Sequence, residues 1–330
     1  AQLGKELRNA VLASSSSSRG AIDVYVAGEW RIDKLHREYK LLTNSLNTQS
    51  YFPDIADYYT IRNSMNRLYR SWADARAHSW NELCEGERFA VVPELAQRGF
   101  FSRSVLPHIK AGRKTALVLV DALRYELGED LAELLADYSN GGKLLSAMLA
   151  ELPTITAVGM TALMPVENAG MLDPVFDKSG KKILGFRSGE RQVSDPKSRL
   201  ASLSDAVGTS CEWVSLKDFL DASDKPLKKY VASSLLVITT RKIDTQGEND
   251  DEDFGIDYFQ PVLARLREAV EKLRSCGFER ILITSDHGFL IGDDTVENAV
   301  GSRIEGAERR HAFDIPRNGD RLCSVLLADL

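Results

Sequence analysis

Thr115-Ala116-Leu117-Val118-Leu119-Val120-Asp121 is a nearly continuous apolar run, rich in β-branched residues, that ends on an acid. No polar residue alternates with the apolar ones, so neither face of such a strand suits water. That is the pattern of a strand buried on both faces of a parallel sheet. A helical pattern follows at once in Leu127, Leu131, Leu134 and Leu135. Ser234-Leu-Leu-Val-Ile-Thr239 and Phe278-Glu-Arg-Ile-Leu-Ile-Thr284 repeat the buried run. Between them, Pro261 to Ser275 sets Val262, Leu266, Val270 and Leu273 on one helix face. Strands alternating with helices predict an α/β fold with a mostly parallel sheet flanked by helices. Residues 165–215 are more polar and carry Gly170, Gly180, Gly185 and Gly189, and they read as an insertion or a sheet-edge segment.

Upstream of Arg113-Lys114 the texture is helical. Leu3, Leu7, Ala10 and Val11 recur at helical spacing, and Ile61, Met65, Leu68 and Trp72 follow the spacing of one helix face. Arg62, Arg67, Arg70 and Arg76 lie around that stripe and read as a solvated face. Ser14 to Ser18 are a low-complexity run expected to form a loop. The expected organisation is a helical N-terminal region, 1–110, ahead of an α/β domain, 111–330. The chain opens on Ala1 rather than Met and stops abruptly at Leu330, as expected of a fragment of a longer protein.

Composition narrows the function. Of 330 residues, 43% are hydrophobic and 27% charged, which rules out disorder of the whole chain. The formal net charge of −6 argues against a surface built mainly for phosphate backbones, though not against a local basic groove. Four scattered cysteines, Cys84, Cys211, Cys276 and Cys323, show neither zinc-knuckle nor disulfide spacing, and a reducing cytoplasm is the expected setting. No apolar run approaches the ~20 residues of a membrane span, so no membrane association is expected. G-x-G-x-x-G after a strand and G-x-x-x-x-G-K-[ST] are both missing, which removes the main support for dinucleotide or P-loop binding.

The candidate chemistry lies just past the strands. Asp121 ends the first run, Asp244 follows the second, and Asp286-His287-Gly288 follows the third. Ligands of parallel α/β sheets bind outside the carboxyl ends of strands, so these residues can converge. A lone Asp there is commonly a helix cap. Three together, one beside a histidine, offer oxygen and nitrogen donors suited to zinc. His311 lies downstream in Glu308-Arg-Arg-His311. In Pro153-Thr154-Ile155-Thr156, either threonine could cap a helix, or its hydroxyl beside a metal could attack phosphorus.

In combination and order, these motifs resemble the PglZ domain, a branch of the alkaline phosphatase superfamily found in BREX-type phage defence. The matching stretches are Leu117 to Glu126, Leu152 to Thr156, Ile243 to Glu248, and Ile283 to Phe289, with His311 completing the order. The resemblance covers about residues 113 to 330. It implies an alkaline-phosphatase-like fold and a two-metal phosphoryl-transfer site. Asp121, Asp286 and His287 would hold one zinc, with Thr156 as nucleophile beside it. Thr156 is preferred because the second Thr of Pro-Thr-x-Thr is the nucleophile in related phosphodiesterases. Asp244, Glu248 and His311 would hold the other zinc. The superfamily commonly has His where Glu248 stands, and a Glu changes the charge and metal preference there.

Arg124 could clamp a phosphoryl oxygen or pair with Glu126 or Asp130. The implied function is a metal-dependent phosphodiesterase or nuclease-like phosphohydrolase acting on nucleotides or nucleic acid in antiviral defence. The alternative is a catalytically weak scaffold that recruits other defence proteins, such as a DNA methyltransferase and an ATPase.

Overall fold

Seven strands and twelve α-helices make up the computed structural model, which describes residues 2–9, 15–47, 55–87, 92–138, 145–247 and 256–291. Four strands form the main sheet: β1 (Thr115–Val120), β5 (Cys211–Ser215), β6 (Leu235–Thr240) and β7 (Arg280–Ser285). Their order is β5-β6-β1-β7, and every pairing is parallel. The alkaline-phosphatase-like α/β architecture expected from the sequence is present.

Every residue of β1 is buried. The reason is its place between β6 and β7 with helices on both faces. Ala116, Val118 and Val120 point into one core layer, with Leu236 and Ile238 of β6. Helices α6 (Tyr125–Leu134), α9 (Leu216–Asp221) and α12 (Phe259–Ser275) cover that layer through Leu127, Phe219, Leu263 and Leu266. Leu117 and Leu119 point the other way with Leu235 and Val237. Helices α5 (Leu106–Lys110), α7 (Thr156–Ala162) and α8 (Pro196–Val207) close that side through Ile109, Val158 and Leu203. Each such side chain taken wholly out of water contributes on the order of 1.5–3 kcal/mol. Phe101 and Val105, just ahead of α5, belong to the same layer, so the chain joins the sheet's core before β1 begins.

The segment read as an insertion or sheet edge holds both. It contains a small antiparallel sheet of β2 (Pro174–Phe176), β3 (Ile183–Ser188) and β4 (Arg191–Val193), and then supplies the edge strand β5. Two further helices are α10 (Asp224–Ala232) and α11 (Lys242–Gly247).

The N-terminal region is helical as expected: α1 (Gln2–Asn9), α2 (Ser18–Val24), α3 (Trp30–Asn47) and α4 (Ile55–Gly86). Two details of the sequence reading are corrected. The serine run is more than a loop: Ser17 caps α2, and Ser18 is buried with its N–H and hydroxyl donating to Glu87. The apolar stripe of α4 does not face inward as a whole. Ile61 and Leu68 are exposed, whereas Tyr69 is buried with Leu3 and Ile32, and Met65 and Trp72 pack against them. Ala10, Val11 and Ser14 lie outside the described residues.

This region docks on α6 through buried charge. Arg37 of α3 reaches Glu126 Oε1 at 3.4 Å and Asp130 Oδ2 at 2.5 Å, and Lys34 reaches Asp130 Oδ1 at 2.7 Å. Asp33 accepts hydrogen bonds from the Tyr25 and Tyr69 hydroxyls, each at 2.6 Å, and pairs with Arg124 Nη2 at 3.3 Å.

Candidate metal centre

Sheet register brings the acidic residues together. Val120 is level with Thr240 on one side and Ser285 on the other, so the next residue of each strand emerges at the same height. Asp121 follows β1, Asp244 lies in α11 just beyond β6, and Asp286 and His287 follow β7. Ligand atoms of Asp121, Asp244 and His287 all lie within 4.8 Å of one another. The chain turns sharply after Asp121. Ala122 takes φ 61°, a left-handed conformation unusual for alanine, and is fully buried. That turn aims the Ala122 N–H at Asp286 Oδ1, 3.0 Å away.

Asp286 is held on one oxygen and open on the other. Oδ1 accepts from the N–H groups of Ala122 and His287, both at 3.0 Å. Oδ2 is buried with no hydrogen-bond partner among the described residues, 3.5 Å from His287 Nε2. The imidazole is oriented by its far nitrogen. Nδ1 lies 3.1 Å from the Gly288 carbonyl, which can only accept, so Nδ1 carries the proton. The lone pair of Nε2 then faces the cluster, 3.6 Å from Asp121 Oδ1. This is how a ligating histidine is commonly tethered.

Thr156 is the first residue of α7, and Ile155, which makes no side-chain cap, precedes it. Its hydroxyl is therefore not used as a cap. It stands 3.4 Å from Asp121 Oδ1 and 3.2 Å from His287 Nε2. Thr154 is half-buried. Helix α7 can come this close because Gly159 has no side chain. A Cβ there would sit 2.3 Å from the Asp286 carbonyl oxygen.

The electrostatics of the cluster favour a cation. Burial, with Asp286 and Asp244 nearby, pushes the Asp121 carboxyl well above its ordinary range, only partly offset by His287 and Arg241. Burial likewise pushes Asp286 up, against the pull of its backbone N–H partners. Asp121 Oδ2 lies 4.0 Å from Arg241 Nε, on a side chain 70% exposed. The buried Arg199 acts on Asp121 and Asp286 only through space, its hydrogen bonds going to Thr161 and the Ser194 carbonyl. Buried carboxylates facing each other without a directly bonded cation are costly unless a proton or a metal neutralises them. An orphaned Oδ2, a lone pair on Nε2 and two further carboxylates are a donor set suited to a divalent cation.

Arg124 is drawn away from this cluster. It precedes α6, is 6% exposed, and has Nε 3.3 Å from Glu126 Oε1 and Nη2 3.3 Å from Asp33 Oδ1. Its Nη1 is buried without a partner among the described residues. Glu248 and His311, the remaining expected ligands, lie outside the described residues, as does the whole acidic stretch from Glu248 to Asp253.

Two contributors escaped the sequence reading. Gly159 carried no visible signal, because close approach is a property of the packed pair. Gln97 is 1% exposed and bonds backbone on both sides of the site. A glutamine 188 positions from its partner leaves no trace in local pattern.

A parallel α/β sheet with acids and a histidine at its carboxyl edge, facing a helix-borne threonine, defines an alkaline phosphatase-like domain. The chain belongs to the PglZ family: residues 100–322 match the model of the BREX system PglZ alkaline phosphatase-like domain. It is 26% identical over 276 residues to the alkaline phosphatase-like protein BrxZ of Escherichia coli O9:H4 (strain HS), covering 79% of this chain and 30% of that protein. It is 22% identical over 298 residues to the alkaline phosphatase-like protein PglZ of Bacillus cereus (strain H3081.97), covering 88% and 33%. The chain thus spans about a third of the length of these relatives. Among the described residues, no helix is long and apolar enough to cross a membrane.

Proposed function

We propose that this chain is a zinc-dependent phosphohydrolase module that cleaves phosphodiesters of nucleotides or nucleic acid, with Thr156 as nucleophile. The observation that carries the reading is the Thr156 hydroxyl at 3.2 Å from His287 Nε2 and 3.4 Å from Asp121 Oδ1, inside a cluster of carboxylates and an imidazole. A divalent cation held by Asp121, Asp286 and His287, with Asp244 beside them, would neutralise the cluster and draw a phosphoryl oxygen to it. The residues divide the work. The Thr156 oxygen forms the new bond to phosphorus as the ester bond to the leaving oxygen breaks. Its proton has an acceptor in reach in Asp121 Oδ1, because the His287 Nε2 lone pair would be committed to the cation. Water then hydrolyses the threonine phosphoester and returns the proton.

Arg124 enters this scheme through Nη1 alone, since Nε and Nη2 are committed to Glu126 and Asp33. A second zinc on Asp244, Glu248 and His311 belongs to the same proposal. So do a cytoplasmic setting and a role beside a DNA methyltransferase and an ATPase of the defence system, for which the support is the match to a BREX-system family.

The test is hydrolysis of a chromogenic phosphodiester with zinc by wild type and Thr156→Ala. The expected loss is about 10³-fold or more. Equal rates would overturn the assignment. No hydrolysis by either protein with zinc bound, together with full phage defence by a Thr156→Ala strain, would favour the scaffold.

A further inference from the structure

Three backbone groups on two arms of the site meet one buried side chain. Gln97 Nε2 donates to the Ser285 carbonyl at 3.1 Å and to the Asp286 carbonyl at 2.8 Å. Its Oε1 accepts the Glu151 N–H at 2.9 Å. The first two groups belong to the end of β7 and the Asp286–His287 turn. The third belongs to the segment that runs through Pro153 into Thr156. Both amide hydrogens and the amide oxygen are thus engaged, and the residue is 1% exposed.

The surroundings fix the glutamine in turn. Ala96 bridges Leu149 in parallel register, and the Leu149 N–H donates to Leu95 at 2.8 Å. Arg98 pairs with Glu151, with Nε at 3.1 Å. The 95–98 segment is therefore bound along the nucleophile arm, and the Gln97 side chain reaches across to the ligand arm. It also lies ahead of the family match, which begins at residue 100.

We infer that Gln97 is a positioning residue: its side-chain amide sets the separation between the Thr156 arm and the Asp286–His287 arm. Gly159 is the complementary device. It lets α7 approach the Asp286 carbonyl from one side while Gln97 holds that carbonyl from another. A nucleophile displaced by ~1 Å can lose ~10²-fold in rate, so one amide bridging both arms has leverage on catalysis. The catalytic consequence rests on the phosphohydrolase reading; the mechanical one does not.

The experiment is amide hydrogen exchange on the full-length protein, comparing wild type with Gln97→Leu and Gln97→Glu. Leucine is close in size and makes none of the three bonds. Glutamate keeps an acceptor for Glu151 but can serve at most one of the two carbonyls. Gln97→Leu should speed exchange about tenfold or more at the Glu151 amide and also at the Ala122 and His287 amides, which bond Asp286. The central amides of β1 should not change. Gln97→Glu should spare Glu151 and still loosen Ala122 and His287.

Faster exchange at Glu151 alone, or a uniform increase across β1, would overturn the proposal. In the same proteins, kcat on the chromogenic diester should fall at least tenfold with KM within about threefold. Loosened amides in a protein whose wild type hydrolyses nothing would sink the phosphohydrolase reading and keep the bridge. Unchanged amides in an active enzyme would do the reverse.

Discussion

Asp33, Glu126 and Asp130 are buried where α3 meets α6; Asp121, Asp286 and the half-buried Asp244 gather at the carboxyl edge of the sheet. Both regions concentrate three carboxylates, and they differ in what faces them. The first set meets Arg37, Arg124 and Lys34 and two tyrosine hydroxyls, so its charge is balanced within the chain. The second meets a neutral imidazole, the exposed Arg241 and, through space only, the buried Arg199, which is hydrogen-bonded elsewhere. A balanced buried network holds two parts of a fold together. An unbalanced one destabilises the fold and persists where a ligand completes it. The contrast separates a structural use of buried acid from a functional one without reference to any relative.

Replacing a cation of the balanced region should break it hardest. Arg37→Met leaves Glu126 and Asp130 short of their partner and should cost about 3–5 kcal/mol, read as a lowered urea midpoint. At the unbalanced region, a missing cation should act in the opposite direction. Zinc at about 100 times its Kd should stabilise the protein by about 2.7 kcal/mol in thermal melts, and His287→Ala should abolish most of that gain.

A matched pair of carboxylate-to-amide changes sharpens the contrast further. In metal-free protein, Asp121→Asn should raise Tm by about 2–4 °C, because it relieves repulsion and burial of charge. Glu126→Gln should lower Tm by at least as much. Equal signs for the two would erase the distinction.

The most gradual effect is a pH slope. His36, stacked on Tyr69 at 3.4 Å between ring centroids, is held neutral to about pH 3 by burial and by Lys40 and Arg124. The unfolded chain binds a proton there below about 6.5, and the folded one does not. Stability is therefore retained above pH 6.5 and lost as pH falls toward 3, by at most ~1.4 kcal/mol per unit. Subtracting the profile of His36→Gln from that of wild type should isolate this slope.

Much of the sheet was legible in the sequence because burial on both faces writes itself as an unbroken apolar run. The runs at 115–121, 234–239 and 278–284 coincide with β1, β6 and β7 to within two residues. Strand β5, Cys-Glu-Trp-Val-Ser, was not legible: an edge strand is half-exposed, and only Val214 in it is buried. The α4 stripe misled because Leu68 and Tyr69 both fit a helical face, and packing against Leu3 and Ile32 selected Tyr69. Within the site, Asp121, Asp286, His287 and Thr156 could be named because each sits where an element ends. Asp33 could not, since a buried acid inside a helix looks like any exposed one until its partners are known.

The strand order has a consequence for synthesis of the protein. β1 leaves the ribosome before any other strand of the main sheet, yet its partners are β6 and β7, with Thr115 opposite Leu235 and Arg280. Its six residues, five of them apolar, have no complete sheet partner until Thr240 has emerged, and Asp121 has no neighbouring Asp286 until later still. Pairings this distant in sequence close slowly and leave apolar strands exposed meanwhile. A ribosome stalled between Asp121 and His287 would hold a chain with the first candidate ligand made and no site to hold it.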